Sequence, residues 1–407
     1  MSTMELLLRE NPQYVIVFES ATGDNETVLA RVLNVAELAG PAAQGRTSRT
    51  ILQQRNGVHA RVYSRLAVAV ANLTPQQVDE LLAAPEVRTV ARNQRRHLPP
   101  LVLPDSVGQS ALLTGTLPAS SPVNRALEQI GLDPARQTVT GKNIKVAVID
   151  TGLDLTHPDF AVLPGNSQSF VPGEPDVQDQ NGHGTHCAGV IAGKAVSAGG
   201  FRYSVAPDTE LLIAKVLDQY GHGYDDQILD AIDWATDQGA DILSMSLGSA
   251  RQVGQPYSDP YERVASTLLS QGILLIAAAG NESQRPALIA PVGNPAACPS
   301  ILAVAAVDGR DQPAFFSCGA VDAVGSVEVA APGVGVYSAW VGGGYKRISG
   351  TSMATPHVAG VAALYMQQFP ELSGQTLWDS LKQHARQVAA PATDVGAGVV
   401  QVPPPQV

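Results

Sequence analysis

Three short segments hold a serine, a histidine and an aspartate, each close to glycine, and together these residues could carry out nucleophilic catalysis. Ser352 stands in Gly350-Thr351-Ser352-Met353-Ala354-Thr355-Pro356-His357, where little bulk surrounds its hydroxyl. At neutral pH such a hydroxyl is a poor nucleophile unless a nearby base takes its proton and a further group orients that base. His183, in Asn181-Gly182-His183-Gly184-Thr185-His186-Cys187-Ala188-Gly189, offers the base. Asp150, which closes Ile144-Lys145-Val146-Ala147-Val148-Ile149-Asp150 just before Thr151-Gly152, offers the orienting carboxylate. Along the chain the order is acid, base, nucleophile.

These side chains need rigid elements beneath them. A helix is expected to start at Ser352, with Gly350 admitting a neighbouring backbone and Pro356 in the first turn, where its missing N–H breaks no helical bond. Val358, Val361, Ala362, Leu364 and Tyr365 bury one face of that helix and hold an exposed serine firmly. The β-branched run ending at Asp150 reads as a buried parallel strand, and an acid at its carboxyl end sits where open α/β sheets place their sites. A second buried strand, Ile273 to Ala279, leads into Gly280-Asn281-Glu282, a carboxamide where the sheet meets solvent. Taken singly, Asp150 reads as well as a turn former, His183 as a core histidine and Asn281 as a turn residue. Four such segments in one order favour a site.

All four segments resemble those of the subtilisin-type serine proteases, the subtilase family, over residues from about 123 to 393, and Cys187 resembles the cysteine of the proteinase K branch. The resemblance implies an α/β fold, a parallel sheet flanked by helices, and hydrolysis of polypeptide substrates. In that reading Ser352 attacks, His183 serves as general base and then general acid, and Asp150 fixes the histidine tautomer and steadies its charge. Asn281 would donate to the oxyanion. The substrate would add as a strand between Gly221-His222-Gly223 and Ser246-Leu247-Gly248. The latter would form one wall of the pocket for the residue before the scissile bond (P1), and Ala278, Ala279 and Gly280 the other, with room for a large apolar side chain. Glu282 at the rim would also tolerate a basic one. Asp225 and Asp226 could favour basic groups farther along the peptide, although capping of a helix from about Gln227 to Gln238 is the favoured reading.

Asp159 matches the family aspartate that binds a structural calcium. Lys194 to Ser204, which should complete the cage, contains no Asp, Asn or Glu, while calcium takes roughly six or more oxygens. Calcium is therefore doubtful, and no cofactor is required. His157, His186 and His357 are assigned to packing and hydrogen bonding, without the spacing of a zinc site.

At 407 residues with 44% hydrophobic content, the chain is long enough for two domains. No apolar run approaches the ~18 residues of a membrane span. Up to Pro122, eleven arginines and no lysine stand against ten acids, a net of +1 that leaves −12 for the rest of the −11 total. Opposite signs favour docking of the first part on the second. So acidic a catalytic part speaks against a nucleic-acid partner. The three cysteines, Cys187, Cys298 and Cys318, are too few for a disulfide scaffold. A Cys298–Cys318 pair and two reduced thiols both stay open, and Cys187 is placed beneath the catalytic histidine.

Tyr14 to Phe18 reads as a strand, Asp24 to Leu38 as a helix, and Ala60 to Leu73 as one or two strands. Thr74-Pro75-Gln76-Gln77 caps a helix that runs to near Ala84, and Val87 to Ala91 forms a last strand. This is the split βαβ pattern of a small α+β, ferredoxin-like domain. It resembles the inhibitory propeptide of subtilases, most nearly over Leu66 to Arg92. The implied organisation is a propeptide-like inhibitory domain at 1–98, an activation linker at 99–122, the catalytic domain at 123–393, and a tail at 394–407 that is extended and disordered from Gln401. Arg95-Arg96-His97-Leu98-Pro99-Pro100 would occupy the substrate groove, with self-cleavage between Arg92 and Pro122. Met1 to Arg9 lacks the basic region of a secretory signal, so a cytoplasmic monomer is expected, with another export route or a trimmed sequence left open. The rivals are a processing peptidase with a partner bound through residues 1–122 and a non-catalytic binding module.

Overall fold

The computed structural model describes residues 13–21, 24–35, 38–39, 49–53, 59–100, 125–133, 138–163, 165–194 and 202–404. The expectations for Met1 to Arg9, for most of the linker and for the centre of the Lys194–Ser204 loop lie outside the described residues.

The N-terminal part contains β1 (Gln13–Phe18), α1 (Asp24–Leu33), β2 (Leu38–Ala39), β3 (Arg49–Gln53), β4 (His59–Tyr63), β5 (Val68–Asn72), α2 (Pro75–Leu82) and β6 (Val87–Arg92). Its strands form one antiparallel sheet in the order β2-β3-β4-β5-β1-β6. Alternation along β1 turns Ile16 and Phe18 towards Leu29, Leu33 and Leu81 on the helices, and Val15 and Val17 towards the second part of the chain. The sequence pattern foresaw β1, β4, β5, β6 and both helices but not β2 or β3. The first helix also ends at Leu33, short of Leu38, because Asn34 takes a left-handed turn at φ +53°. Thr74 caps α2 as expected, accepting from Gln77 N at 3.3 Å while Gln77 Oε1 accepts from Thr74 N at 2.9 Å.

The second part is built on seven parallel strands: β8 (Lys145–Asp150), β9 (Ser167–Ser169), β10 (Glu210–Lys215), β12 (Ile242–Met245), β13 (Leu274–Ala278), β14 (Leu302–Val307) and β15 (Val329–Pro332). Their order is β15-β14-β13-β12-β8-β10-β9. Helices α3 (Arg125–Gln129), α4 (His183–Ala192), α5 (Asp225–Asp237), α6 (Asp259–Ser270), α7 (Thr351–Gln368), α8 (Gly374–Gln383) and α9 (Ala392–Val395) surround it. Val146 and Val148 of β8 pack with Val190 of α4 and Val358 and Val361 of α7, whereas Ala147 and Ile149 pack with Ile228, Leu229, Val264 and Leu268 of α5 and α6. Burial on both faces explains why these strands read as unbroken apolar runs. Two antiparallel pairs complete the fold: β7 (Arg95–His97) with β11 (His222–Tyr224), and β16 (Val336–Trp340) with β17 (Gly344–Ile348). Among the described residues no helix is long and apolar enough to cross a membrane.

The tail expected from residue 394 is instead part of this body. Val399 bridges Ala330 and Arg386, Val400 is buried, and Val402 N donates to Ile130 O at 2.9 Å. Val395, Val399 and Val400 carry enough apolar surface to hold the segment in the core.

The open face of the N-terminal sheet lies on α5 and α6. Val15, Val17, Tyr63, Leu66, Val68 and Val70 share a core cluster with Ile228, Ile232 and Leu268. Around this contact Arg61 pairs with Asp226 at 2.6 Å and with Asp230, and Arg65 pairs with Asp237. Opposite charges of the two parts thus meet at this interface, where each partly exposed ion pair adds little beside the apolar contact.

Candidate active site

Asp150 ends β8, the strand from which the chain order runs off in opposite directions across the sheet, and such a switch point opens a crevice at the strand ends. His183 is the first residue of α4, and its Nδ1 lies 2.8 and 3.0 Å from the two carboxylate oxygens of Asp150. Both side chains are buried. Thr151 N donates to Asp150 Oδ1 at 2.7 Å, and Thr151 Oγ1 accepts from Gly184 N at 2.8 Å, tying the strand end to the helix start. Asp179, which the sequence reading missed, organises this corner. Its Oδ1 accepts from Asn181 N and Gly182 N, each at 2.9 Å, and from Thr151 Oγ1 at 3.0 Å, while Oδ2 accepts from Thr185 N and Oγ1. An aspartate just ahead of Asn-Gly is a turn and capping signal that could have revealed it.

Burial opposes a charged imidazole, yet the Asp150 carboxylate outweighs it and holds the His183 pKa well above its ordinary value. His186 and His357 differ, because burial dominates there and lowers them to about 3 and about 4.

Ser352 is the second residue of α7 and is buried, where an exposed serine was expected; its hydroxyl turns inward and donates to Ser246 O at 3.3 Å. His183 Nε2 has no hydrogen-bond partner. Pro356 lies a full turn deeper in α7 than the first turn, so its missing N–H orphans the carbonyl of Ser352 itself. Ser246 Oγ donates to that carbonyl at 2.8 Å and Cys187 Sγ at 3.5 Å. These two side chains therefore repair the backbone at the residue that carries the hydroxyl. Ser246→Ala leaves the buried carbonyl only the weak thiol donor, and we expect a loss of about 1–2 kcal/mol, read as a lower urea midpoint. An unchanged midpoint would show that the thiol suffices.

Asn281 follows β13 and Gly280. Its Oδ1 accepts from Thr351 N and Thr351 Oγ1 at 2.9 and 2.8 Å, which fixes the amide plane and leaves Nδ2 to donate to Pro100 O at 3.0 Å. Thr351 is a second positioning residue that the sequence reading passed over. The carbonyl facing Asn281 belongs to the segment that leads out of the N-terminal part.

That segment lies in the crevice as a strand. β7 runs antiparallel to β11, with His97 opposite His222 and Arg96 opposite Gly223, and on its other side His97 exchanges both main-chain hydrogen bonds with Gly248, at 3.0 and 2.9 Å. Leu98 N donates to Gly221 O at 3.0 Å. Gly221, at φ +76°, admits no side chain, since a Cβ would stand 2.7 Å from Leu98 Cδ1. Pro99 lines a small cavity with Gly248, Ala278, Gly280 and Glu282, and with Gly293 and Asn294, which the sequence reading missed. The cavity residue, Pro99, and the residue whose carbonyl faces Asn281, Pro100, are thus one position apart.

Not every expected pocket residue lines this cavity. Leu247 and Ala279 are buried in the core beneath it, and Ser246 is taken up by the Ser352 carbonyl. Strand alternation explains Leu247 and Ala279, since alternate side chains must face inward. Asp225 and Asp226 stand at the start of α5 as expected, but their carboxylates bind Arg96 and Arg61 of the N-terminal part, so capping does not account for them.

Asp159 Oδ2 accepts from the hydroxyls of Tyr203 and Tyr345, each at 2.8 Å. His157 Nε2 lies 2.9 Å from Gly344 O, His186 Nε2 3.0 Å from Val336 O, and His357 Nδ1 2.7 Å from Met353 O, the hydrogen-bonding roles expected of them. The three cysteines are free and buried: Cys298 donates to Ser258 O, Cys318 to Glu282, and Cys187 Sγ lies 3.8 Å from His183 Nδ1. Among the described residues, Asp150, His183 and Cys187 form the one cluster whose ligand-type atoms converge.

Residues 141–398 match the model of the subtilase family. The chain is 36% identical to Subtilisin NAT of Bacillus subtilis subsp. natto over 337 residues, which is 82% of this chain and 80% of that protein. It is 41% identical to a subtilisin of Bacillus pumilus over 267 residues, 65% of this chain and 92% of the relative. Subtilisin E of Bacillus subtilis (strain 168) is 36% identical over 336 residues, 82% of this chain and 80% of that protein.

Proposed function

The chain belongs to the subtilase family and is a serine endopeptidase of the subtilisin type, and on that premise we propose that Asp150, His183 and Ser352 form its catalytic triad. Ser352 Oγ leaves the Ser246 carbonyl and attacks the peptide carbonyl as His183 Nε2 takes its proton, with Nδ1 held by Asp150. Asn281 Nδ2 and the Ser352 N–H receive the oxyanion. His183 then returns the proton to the leaving amine, and water repeats the sequence on the acyl-enzyme. Nucleophile, base and oxyanion donors are all protein groups, so the chemistry asks for no cofactor. The observation that carries this reading is the Asn281 donor facing a main-chain carbonyl of a strand-held peptide, beside the Asp150–His183 pair.

Substrates are polypeptides gripped as a strand between 221–223 and 248, with a large apolar side chain favoured in the cavity of Gly248, Ala278 and Gly280, and Glu282 admitting a basic one. The N-terminal domain is an inhibitory propeptide-like domain whose tail fills this groove. The one-residue offset between Pro99 and Pro100 supports a tail that is held but not poised for attack, and the activating cut falls beyond Pro99, within 100–122. Two tyrosine hydroxyls engage the Asp159 carboxylate, which supports a reading without calcium at this residue.

A fluorophosphonate probe tests the proposal. It should label Ser352 on a species lacking residues through at least Pro99, and the absence of labelling even after limited proteolysis removes the N-terminal domain would favour the non-catalytic scaffold. Only the neutral imidazole can accept the serine proton. With the His183 pKa raised, labelling and kcat/KM should fall as pH drops through a midpoint above the ordinary histidine value of about 6.5. A midpoint below that value would refute the role assigned to Asp150.

A further inference from the structure

Arg96 is the largest side chain that the N-terminal part buries in the catalytic domain, and it enters a site made for its shape. Its Nε donates to Asp225 Oδ1 at 2.6 Å, one terminal nitrogen to Asp225 Oδ2 at 3.1 Å, and the other to Ser249 Oγ at 2.6 Å. The guanidinium carbon lies 5.4 Å from the centre of the Tyr261 ring, whose hydroxyl donates to Asp225 Oδ1 at 2.9 Å. The side chains of Arg96 and Asp225 are only 2% and 3% exposed. Asp225, Ser249 and Tyr261 all belong to the catalytic domain.

We propose that Asp225, Ser249 and Tyr261 form an arginine-selective substrate subsite, three positions before the residue that fills the cavity at Gly248, Ala278 and Gly280, and that Arg96 occupies it on behalf of the substrate. The proposal rests on the endopeptidase reading above. Main-chain pairing with β11 and Gly248 places the tail where an extended substrate must lie, so strand alternation aims the same position inward in both. Once the N-terminal domain leaves, Asp225 keeps Tyr261 but loses the guanidinium and the N–H of Gln94, which donates to Oδ2 at 3.1 Å. A carboxylate held in place by the Tyr261 hydroxyl favours a ligand that restores a bidentate cation. A planar fork placed over a tyrosine ring suits arginine better than lysine.

The test uses the full chain after it has processed itself, with fluorogenic peptides that share leucine at the cavity position and carry arginine, citrulline or norleucine three residues earlier. Citrulline keeps the shape of arginine and removes the charge. Arginine should raise kcat/KM about 30-fold or more over citrulline, a loss typical of an unpaired buried charge. Asp225→Asn should collapse that ratio to a few-fold. Equal rates for arginine and citrulline peptides with the unaltered enzyme would overturn the subsite while leaving the peptidase intact, whereas cleavage of none of them would remove the premise as well.

Discussion

Ser352→Ala should leave a single full-length chain where the parent sheds its N-terminal domain, and should lower kcat by about 10⁶, the scale seen when the nucleophile is removed in subtilisin. The expectation follows from what remains after the change. The Asp150–His183 pair and the Asn281 donor survive, and so does the groove that holds Arg95 to His97, so binding and oxyanion stabilisation persist without a group to attack. Nothing else in the site can take over, since Cys187 points its thiol at the Ser352 carbonyl and burial holds its pKa up, keeping it a neutral thiol. Intact-mass spectrometry of the two chains expressed side by side is decisive. A truncated Ser352→Ala chain, with the same new terminus as the parent, would show that another protease makes the cut and that self-maturation is not a property of this molecule.

The residues proposed to react were legible as candidates because each lies in a segment whose neighbours announce it: an acid at the end of an apolar run, a histidine between glycines, a serine at the mouth of a helix. The positioning residues were not. Thr351 and Asp179 are ordinary polar residues by composition, and their importance comes from contacts across the sheet, with Asn281 and Thr151, that no local pattern encodes. Pro356 was misplaced by a turn because the sequence does not reveal that the Ser352 carbonyl has two outside donors, which is what makes a proline tolerable that deep in a helix. In the same way Leu247 and Ala279 belong to the right segments but face the wrong side, since register, and not residue type, decides which side chain lines a groove. Asp225 shows the limit most clearly. A helix-start aspartate is almost always a cap or a dipole partner, and only the strand pairing of Arg95 to His97 brings a guanidinium to it. The short strands β2 and β3 escaped because residues 38–39 and 49–53 are too brief for alternation to stand out.

Asp150→Asn should reduce kcat/KM by about 10⁴ at neutral pH, while leaving the fold and the groove in place. The size of the loss comes from proton placement. Thr151 N–H donates to Oδ1, so it keeps an oxygen in that position, and the new amide nitrogen takes the place of Oδ2, 3.0 Å from His183 Nδ1. There its N–H meets Nδ1 and favours the tautomer with the proton on Nε2, the nitrogen proposed to accept a proton from Ser352. The charge that raised the His183 pKa is also gone, so burial, the largest opposing influence, should prevail on the imidazole and pull its pKa down. The acid limb of the pH profile should therefore move from above the ordinary histidine value to below it, even as the plateau falls. A variant that merely loosened the structure would lose activity without moving that limb. A loss of less than about tenfold, with the midpoint where the parent has it, would mean that Asp150 neither fixes the tautomer nor stabilises the imidazolium.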